Sequence, residues 1–176
     1  MPSNKIRQTS PDKVNGKLVK YRIGDCLAIR FLDGKYIGAI VSEKFNAFYD
    51  LTLTDFLLDT SPSIRDFENG RFFGTRFGST EEIEYATDRC MVKCKYVDNN
   101  ADFILAGSLT LIPQIIKGSY HYHDTEIELR LYYMQELPIR TEKSRNAEKF
   151  PDLGFVSKHL IDVKNIMPGN PLSQTK

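Results

Sequence analysis

The sequence has no tryptophan, three histidines, three cysteines and no apolar run that approaches a membrane span. A spanning helix needs about 20 consecutive apolar residues, so we predict that the chain does not insert into a membrane. The cysteines, Cys26, Cys90 and Cys94, cannot all pair, and the sequence contains no CxxC. We therefore predict buried free thiols and a cytoplasmic location, where cysteines stay reduced.

Neither acidic nor basic residues are in excess, since the chain has 24 basic and 23 acidic residues and a formal net charge of +1. Such a balance gives no global field for nucleic acid or an anionic surface, so nucleic acid is disfavoured as a partner. The sequence also has neither a G-x-S-x-G elbow nor a glycine-rich phosphate loop before a helix. We predict no catalytic residues, no cofactor and no enzymatic activity.

Two histidines raise the question of a metal. His121 and His123 are two residues apart on a predicted strand, so both side chains leave the same face and could form half of a zinc site. The third histidine, His159, lies far along the sequence. A strand end that simply carries histidine and tyrosine is the favoured interpretation, with a metal site at His121 and His123 as the alternative.

The chain is organised around residues 21–43, where two apolar runs flank an Asp-Gly pair at 33–34. This pattern predicts a hairpin with a two-residue loop and positive φ at both loop residues, which pairs Phe31 with Tyr36 and sets Gly38 opposite a bulky residue. In that register both faces are apolar, with Leu27, Ile29, Phe31, Tyr36 and Ile40 on one and Cys26, Ala28, Ile37, Ala39 and Val41 on the other. Such a hairpin belongs inside a barrel or in a sheet covered on both sides.

The rest of the chain adds mainly strands. The patterns predict strands at 47–53, 71–77, 83–97, 103–112 and 125–133, a short helix at 62–68 and another within 150–166. The predicted fold class is therefore mostly β, a β-rich α+β protein with an antiparallel, strongly bent sheet or an SH3-like partial barrel and one or two short helices. We predict a flexible leader at 1–19, a β-rich domain at 20–137, and a charged linker, short C-terminal helix and tail at 138–176 that pack on the same domain.

Carboxylates and aromatic side chains alternate between residues 43 and 84, which is typical of a surface that docks a basic partner. An ordinary core beneath a solvated acidic face explains the same pattern equally well. If the surface docks a partner, its candidate members are Phe45, Phe48, Tyr49, Asp50, Asp55, Asp59, Asp66 and Glu68.

The order of three motifs adds a family resemblance. YRIGDCLAIRFLDGKYIGAIV, then LTDFLLDTSPSIRDF, then FFG resemble the immunity proteins of bacterial polymorphic toxin systems, in particular the immunity family numbered twenty-six, over about residues 21–133. The resemblance implies a mostly-β cytosolic protein without catalytic activity that binds and blocks a cognate toxin domain. The eight residues above would then face the toxin. The sequence does not give the oligomeric state.

A second resemblance leads to a different function. GDCLAIRFLDGKYIGAIV is also similar to the opening hairpin of Tudor- and SH3-like barrels, which bind peptides or nucleic acid. An aromatic cage for a methylated cation would need Tyr21, Phe31 and Tyr36 to converge on one pocket. A cross-strand core pair of Phe31 and Tyr36 is the competing role for two of these residues.

Overall fold

The structure is a computed structural model, which describes residues 13–14, 17–18, 20–77, 84–112, 115–123, 139 and 160–169. Within these ranges the chain is mostly β, with antiparallel strands and two short α-helices, which confirms the predicted fold class. The strands are β1 (Lys13–Val14), β2 (Lys17–Leu18), β3 (Asp25–Arg30), β4 (Tyr36–Phe45), β5 (Phe48–Leu58), β6 (Arg71–Phe77), β7 (Glu84–Lys93), β8 (Phe103–Ser108), β9 (Ile115–His123) and β10 (Leu160–Asp162). The helices are α1 (Ile64–Glu68), α2 (Cys94–Asp98) and a 3-10 turn at Val163–Ile166.

Seven of the described strands form one antiparallel series in the order β10-β6-β7-β5-β4-β3-β8. β9 joins β7 in parallel, and β1 and β2 form a separate two-stranded ribbon. In the described part of the chain the sheet is open and does not close into a barrel. The likeness to SH3 barrels stays a prediction.

The predicted hairpin is present as β3 and β4, but its register is wrong by one residue. Cys26 pairs with Ile40 and Arg30 with Tyr36, because the loop has three residues, with Phe31 and Lys35 bonded across it at 2.7 Å. Gly34 has a φ of +83° and Asp33 does not have a positive φ, which fits a three-residue loop and excludes the predicted two-residue turn. A slip of one residue turns every side chain of a strand to the opposite face.

Both faces of this hairpin are buried, as predicted, but the slip exchanges the faces of β4. Ile37, Ala39 and Val41 pack with Leu27 and Ile29 in one cluster, while Ile40 packs with Cys26 in the other. The first cluster also contains Tyr21, Tyr49, Leu51, Phe73, Val92, Val97 and Phe103, and the second contains Phe67, Phe72, Leu109, Ile161, Val163 and Ile166.

Gly38 was predicted to make room for a bulky residue opposite it, Ile29, but it pairs with Ala28, and the bulky neighbours come from β5 and α1. A Cβ on Gly38 would collide with the ring of Phe56 and would lie 2.7 Å from Cε1 of Phe67. The pairing of β4 with β5 is irregular here, and the Thr54 hydroxyl donates a 2.9 Å hydrogen bond to the Gly38 carbonyl oxygen. Gly38 therefore lets α1 and β5 pack closely on the sheet.

The helix predicted at 62–68 is α1, which begins two residues later, and the strand at 71–77 is β6. The strand predicted at 83–97 is wrong beyond Lys93. The N–H of Cys94 bonds to the carbonyl oxygen of Ala47 at 2.7 Å, and the chain continues as α2. The three cysteines are free and buried, as predicted.

The helix predicted within 150–166 is tested only over its last residues. Residues 160–166 form β10, paired with Phe73 to Arg71 of β6, and one 3-10 turn, and residues 150–159 lie outside the described ranges. Leu160 and Ile161 are buried in different clusters, as expected for consecutive residues of a strand. The strand predicted at 125–133, most of the leader and most of the linker and tail lie outside the described residues.

Candidate functional site

The structure divides the predicted docking patch between the two ends of β5. Phe45 and Phe48 flank the turn at its beginning, and Asp55 lies near its end. Asp59, Asp66 and Glu68 follow on the loop after β5 and on α1. At about 3.3 Å per residue, the seven residues from Phe48 to Asp55 span about 23 Å of extended strand. The predicted patch is therefore two separate surfaces.

Two members of the patch do not face a partner at all. Tyr49 is fully buried and Asp50 is 4% exposed. Tyr49 points into the first core cluster, where its ring meets the ring of Tyr21 edge-on at 5.9 Å between centroids. Their assignment as toxin-facing residues is wrong, because β5 is an interior strand that pairs with β4 and β7.

The carboxylates at the other end of β5 border an open groove with a volume of about 430 Å³. β5, α1, β6 and β10 all contribute to its lining, which consists of Asp55, Phe56, Leu58, Arg65, Asp66, Asn69, Gly70, Arg71 and Asp162. Four elements that belong to one sheet and its packed helix thus form a single concave surface.

Asp66 is held in place by the start of α1. Its carboxylate accepts hydrogen bonds from both the hydroxyl and the backbone N–H of Ser63, each at 2.7 Å. These bonds lower the pKa of Asp66, with the hydroxyl as the larger cause, because both favour the charged form. The reciprocal capping arrangement therefore fixes a negative charge at the rim of the groove.

Asp55 and Arg71 form an ion pair across the floor between β5 and β6. Both Nε and Nη2 of Arg71 approach the same carboxylate oxygen, at 3.0 and 2.8 Å. The Asp55 side chain is 13% exposed and that of Arg71 is 35% exposed. This pair is partly shielded from water, so it stabilises the two strands and largely cancels its own charge.

The other two predicted carboxylates lie beside the groove and are not among its lining residues. Asp59 is 89% exposed and its contact with Lys35 is long, at 3.8 Å, so the attraction between them is weak. Glu68 is half-buried at the end of α1. The exposed charges on the lining itself are Asp66 and Asp162 against Arg65. The groove is therefore mildly acidic and suits a cationic side chain of a partner.

The aromatic side chains nearest the groove are not exposed on its surface. Phe67, Phe72 and Phe73 are buried in the core, and Phe56 is partly buried with its ring edge-on to Phe67 at 5.2 Å. Sequence reasoning also missed Asp162, which reaches the groove because β10 pairs with β6 from about ninety residues further along the chain. No local sequence pattern indicates that two strands so far apart in the sequence will pair.

The remaining sequence candidates do not assemble into a second site. Tyr21 and Phe31 are 1% and 7% exposed, so they cannot line an aromatic cage with Tyr36. His121 and His123 lie on β9, in register with Cys90 and Val92 of β7. Among the residues that the structure describes, no group of three or more His, Cys, Asp or Glu side chains is arranged to hold a metal ion.

Comparison of the chain with protein-family models, with curated proteins and with solved structures found no match. Of the helices in the described ranges, none has the length and apolar character that crossing a membrane requires.

Proposed function

We propose that this chain is an immunity-type inhibitor, which binds a cognate bacterial toxin domain in the cytoplasm and occludes its active site. The family resemblance of residues 21–133 suggests this function, and the groove between β5, α1, β6 and β10 is the observation that supports it best. In this account the chain supplies a shape and charges to the toxin, and carries out no reaction itself.

A neutralising protein must bind tightly. A nanomolar dissociation constant corresponds to about 12 kcal/mol of binding free energy, and flexible surfaces lose much of that energy when they become ordered. Here the capping bonds of Asp66 and the ion pair of Asp55 with Arg71 hold the groove in one arrangement before any partner arrives. A basic side chain at the rim of the toxin's active site is the expected occupant.

The experiment is co-expression of the chain with each toxin domain encoded beside it, scored by growth and by formation of a complex on a sizing column.

The variant Asp162→Lys tests the groove itself. It reverses the charge of an exposed lining residue, and the Asp162 side chain makes no capping hydrogen bond to the 3-10 turn that follows it. We expect this variant to weaken binding about tenfold, a typical effect of one well-placed charge. Leu32→Lys adds a positive charge to the exposed β3–β4 loop and keeps the hydrogen bond between Asp33 and Lys35, so it is the control and should bind normally. Failure to rescue growth together with no complex for any of these toxins would reject the proposal.

A further inference from the structure

The end of α1 carries one of the two Asn-Gly pairs in the sequence, Asn69-Gly70. The other pair, at 15–16, lies outside the described residues. Asparagine followed by glycine loses its side-chain amide readily, because glycine has no side chain to obstruct attack by its own backbone nitrogen. Asn69 is exposed and lines the groove, so this reaction would change the charge of the surface that the proposed function uses.

The reaction exchanges ammonia for water. The Gly70 backbone nitrogen loses its proton to solvent base and attacks Cγ of the Asn69 side chain, so that a C–N bond forms while the side-chain nitrogen leaves as ammonia. Water then opens the resulting cyclic imide at one of its two carbonyl groups, which yields aspartate or isoaspartate at position 69. Both products carry a carboxylate, and isoaspartate also adds a methylene group to the main chain.

The structure holds this pair in an unreactive arrangement. Asn69 is the C-cap of α1 with a φ of −98° and a ψ of −2°, which turns the Gly70 nitrogen away from the Cα–Cβ bond that it must eclipse in the imide ring. The Asn69 side-chain amide donates a 2.9 Å hydrogen bond to the carbonyl oxygen of Arg65, and the Gly70 N–H donates to that of Phe67 at 3.1 Å. Attack requires rotation about ψ and loss of these bonds, so the last turn of α1 must open first.

Packing requires the glycine that makes the pair reactive. A Cβ at position 70 would lie 2.8 Å from the backbone oxygen of Asp66 and 3.5 Å from Cδ1 of Phe56. The first contact is too short for a Cβ, and it is made with a backbone atom of α1, which cannot move aside without distorting the helix. The fold therefore needs the reactive pair at this position and depends on α1 to protect it.

The end of α2 supplies a matched site without the glycine. Asn99 is the C-cap there, with a φ of −98° and a ψ of 5°, and its side-chain amide donates a 2.8 Å bond to the carbonyl oxygen of Lys95. The next residue is Asn100, whose side chain hinders the same attack. The two caps share their geometry and differ in the residue that follows, so their comparison isolates the effect of the glycine.

We propose that Asn69 is a site of spontaneous deamidation, guarded by the last turn of α1, and that its conversion weakens binding at the groove. The second part rests on the proposed function. A carboxylate at position 69 adds a negative charge to a lining that already contains Asp66 and Asp162. The extra methylene group of isoaspartate shifts Gly70, whose carbonyl oxygen accepts a 3.0 Å bond from the N–H of Val163 and so ties the groove to the 3-10 turn.

The first test needs no toxin: peptide mapping by mass spectrometry of protein kept at pH 8 with and without denaturant. Asn69 should deamidate at least about tenfold more slowly in the folded protein than in denaturant, because opening of the turn costs free energy. Ser63→Ala removes a hydroxyl bond at the start of α1 and should raise the folded-state rate several-fold without changing the rate in denaturant. Asn99 should react more slowly than Asn69 in denaturant.

Equal rates at Asn69 with and without denaturant would overturn protection by α1, as would a folded-state rate in Ser63→Ala equal to that of the wild type. Absence of reaction at Asn69 in denaturant would overturn the site itself. Near-UV circular dichroism checks that Ser63→Ala is folded, and the two wild-type rates decide the question if it is not.

The second test measures binding to a catalytically inactivated toxin domain encoded beside the chain. Fresh protein is compared with the isoaspartate form purified by ion exchange, both in an Asn15→Gln background that removes the other Asn-Gly pair. The isoaspartate form should have a dissociation constant at least about tenfold higher, because the groove is no longer held in one arrangement. Equal affinities overturn the effect on the groove and leave the proposed function intact. Absence of any complex with fresh protein overturns the proposed function and this effect together, while the peptide map still decides the deamidation site.

Discussion

The Tyr49 hydroxyl donates a 2.7 Å hydrogen bond to the carboxylate of Asp98, and so joins the middle of the sheet to α2. The same oxygen accepts a 3.1 Å bond from the backbone N–H of Tyr21, whose own hydroxyl donates to the carbonyl oxygen of Phe103 at 2.9 Å. A residue that the sequence suggested for a docking surface therefore connects three parts of the core. The role of Tyr49 is therefore to stabilise the fold, and it does not contact a partner.

Tyr49→Phe should destabilise the protein by about 1–3 kcal/mol, because it leaves the half-buried Asp98 and the Tyr21 N–H without this partner. Urea unfolding at pH 7 measures the change. Tyr36→Phe, on a half-buried residue of β4, serves as the comparison and should cost less. Equal stability of Tyr49→Phe and wild type would show that the bond contributes nothing.

Asp98 should give the stability a dependence on pH. Burial raises the pKa of Asp98 above its usual value, although the Tyr49 hydroxyl acts in the opposite direction. The folded state therefore holds this proton more tightly than the unfolded chain, and the stabilisation present below about pH 4 is lost as the pH rises through the folded-state pKa. Relative to Asp98→Asn, the wild-type free energy of unfolding should fall between about pH 4 and pH 7. A difference that grows with pH would contradict this assignment.

Gly38→Ala should destabilise the protein by about 1–3 kcal/mol, as overpacking of a core usually does. The added methyl group would lie 2.6 Å from the Thr54 hydroxyl oxygen and 2.7 Å from the Phe67 ring, which cannot move without displacing α1. Thermal unfolding checks the effect, with Leu32→Ala as an exposed control. A melting temperature equal to that of the wild type would mean that α1 is not packed as described.

The thiols should be unreactive in the folded protein. Burial, followed by the nearby charge of Asp25, raises the pKa of Cys26 to about 12, and burial raises that of Cys94 to about 11. At pH 8 almost none of Cys26 or Cys94 is present as the thiolate, which is the reactive form, and Cys90 is fully buried. Ellman's reagent should therefore react at least about 100-fold more slowly with native protein than with protein in denaturant. A cysteine that reacts at the denatured rate would contradict the burial of these side chains.

The β3–β4 hairpin shows how far the sequence could predict the fold. Apolar alternation and the Asp-Gly pair identified the hairpin and its burial on both faces, because these are local properties. The register depended on loop geometry, in which the Asp33 carboxylate accepts a 3.0 Å bond from the Lys35 N–H, and on which side chains of β4 pack with Leu27 and Ile29. Local patterns do not distinguish a two-residue from a three-residue loop when both faces of the strands are apolar.

The candidate site was less predictable than the fold. Phe45, Asp55 and Asp66 are close in sequence and were therefore grouped together. However, β5 is an extended strand of eleven residues, and its two ends are separated by a distance comparable with the width of a standard protein–protein interface. Asp162 joins Asp66 only through the pairing of β10 with β6. Both facts follow from long-range strand pairing, which spacing along the chain does not encode.

Titration of the toxin's catalytic activity with increasing amounts of this chain tests the central claim most directly. Binding and occlusion predict that activity falls linearly and reaches zero at one equivalent, when the toxin concentration is well above the dissociation constant. The loss should not progress with time after mixing. Complete inactivation by far less than one equivalent, increasing with incubation, would show turnover by this chain and would contradict a purely binding function.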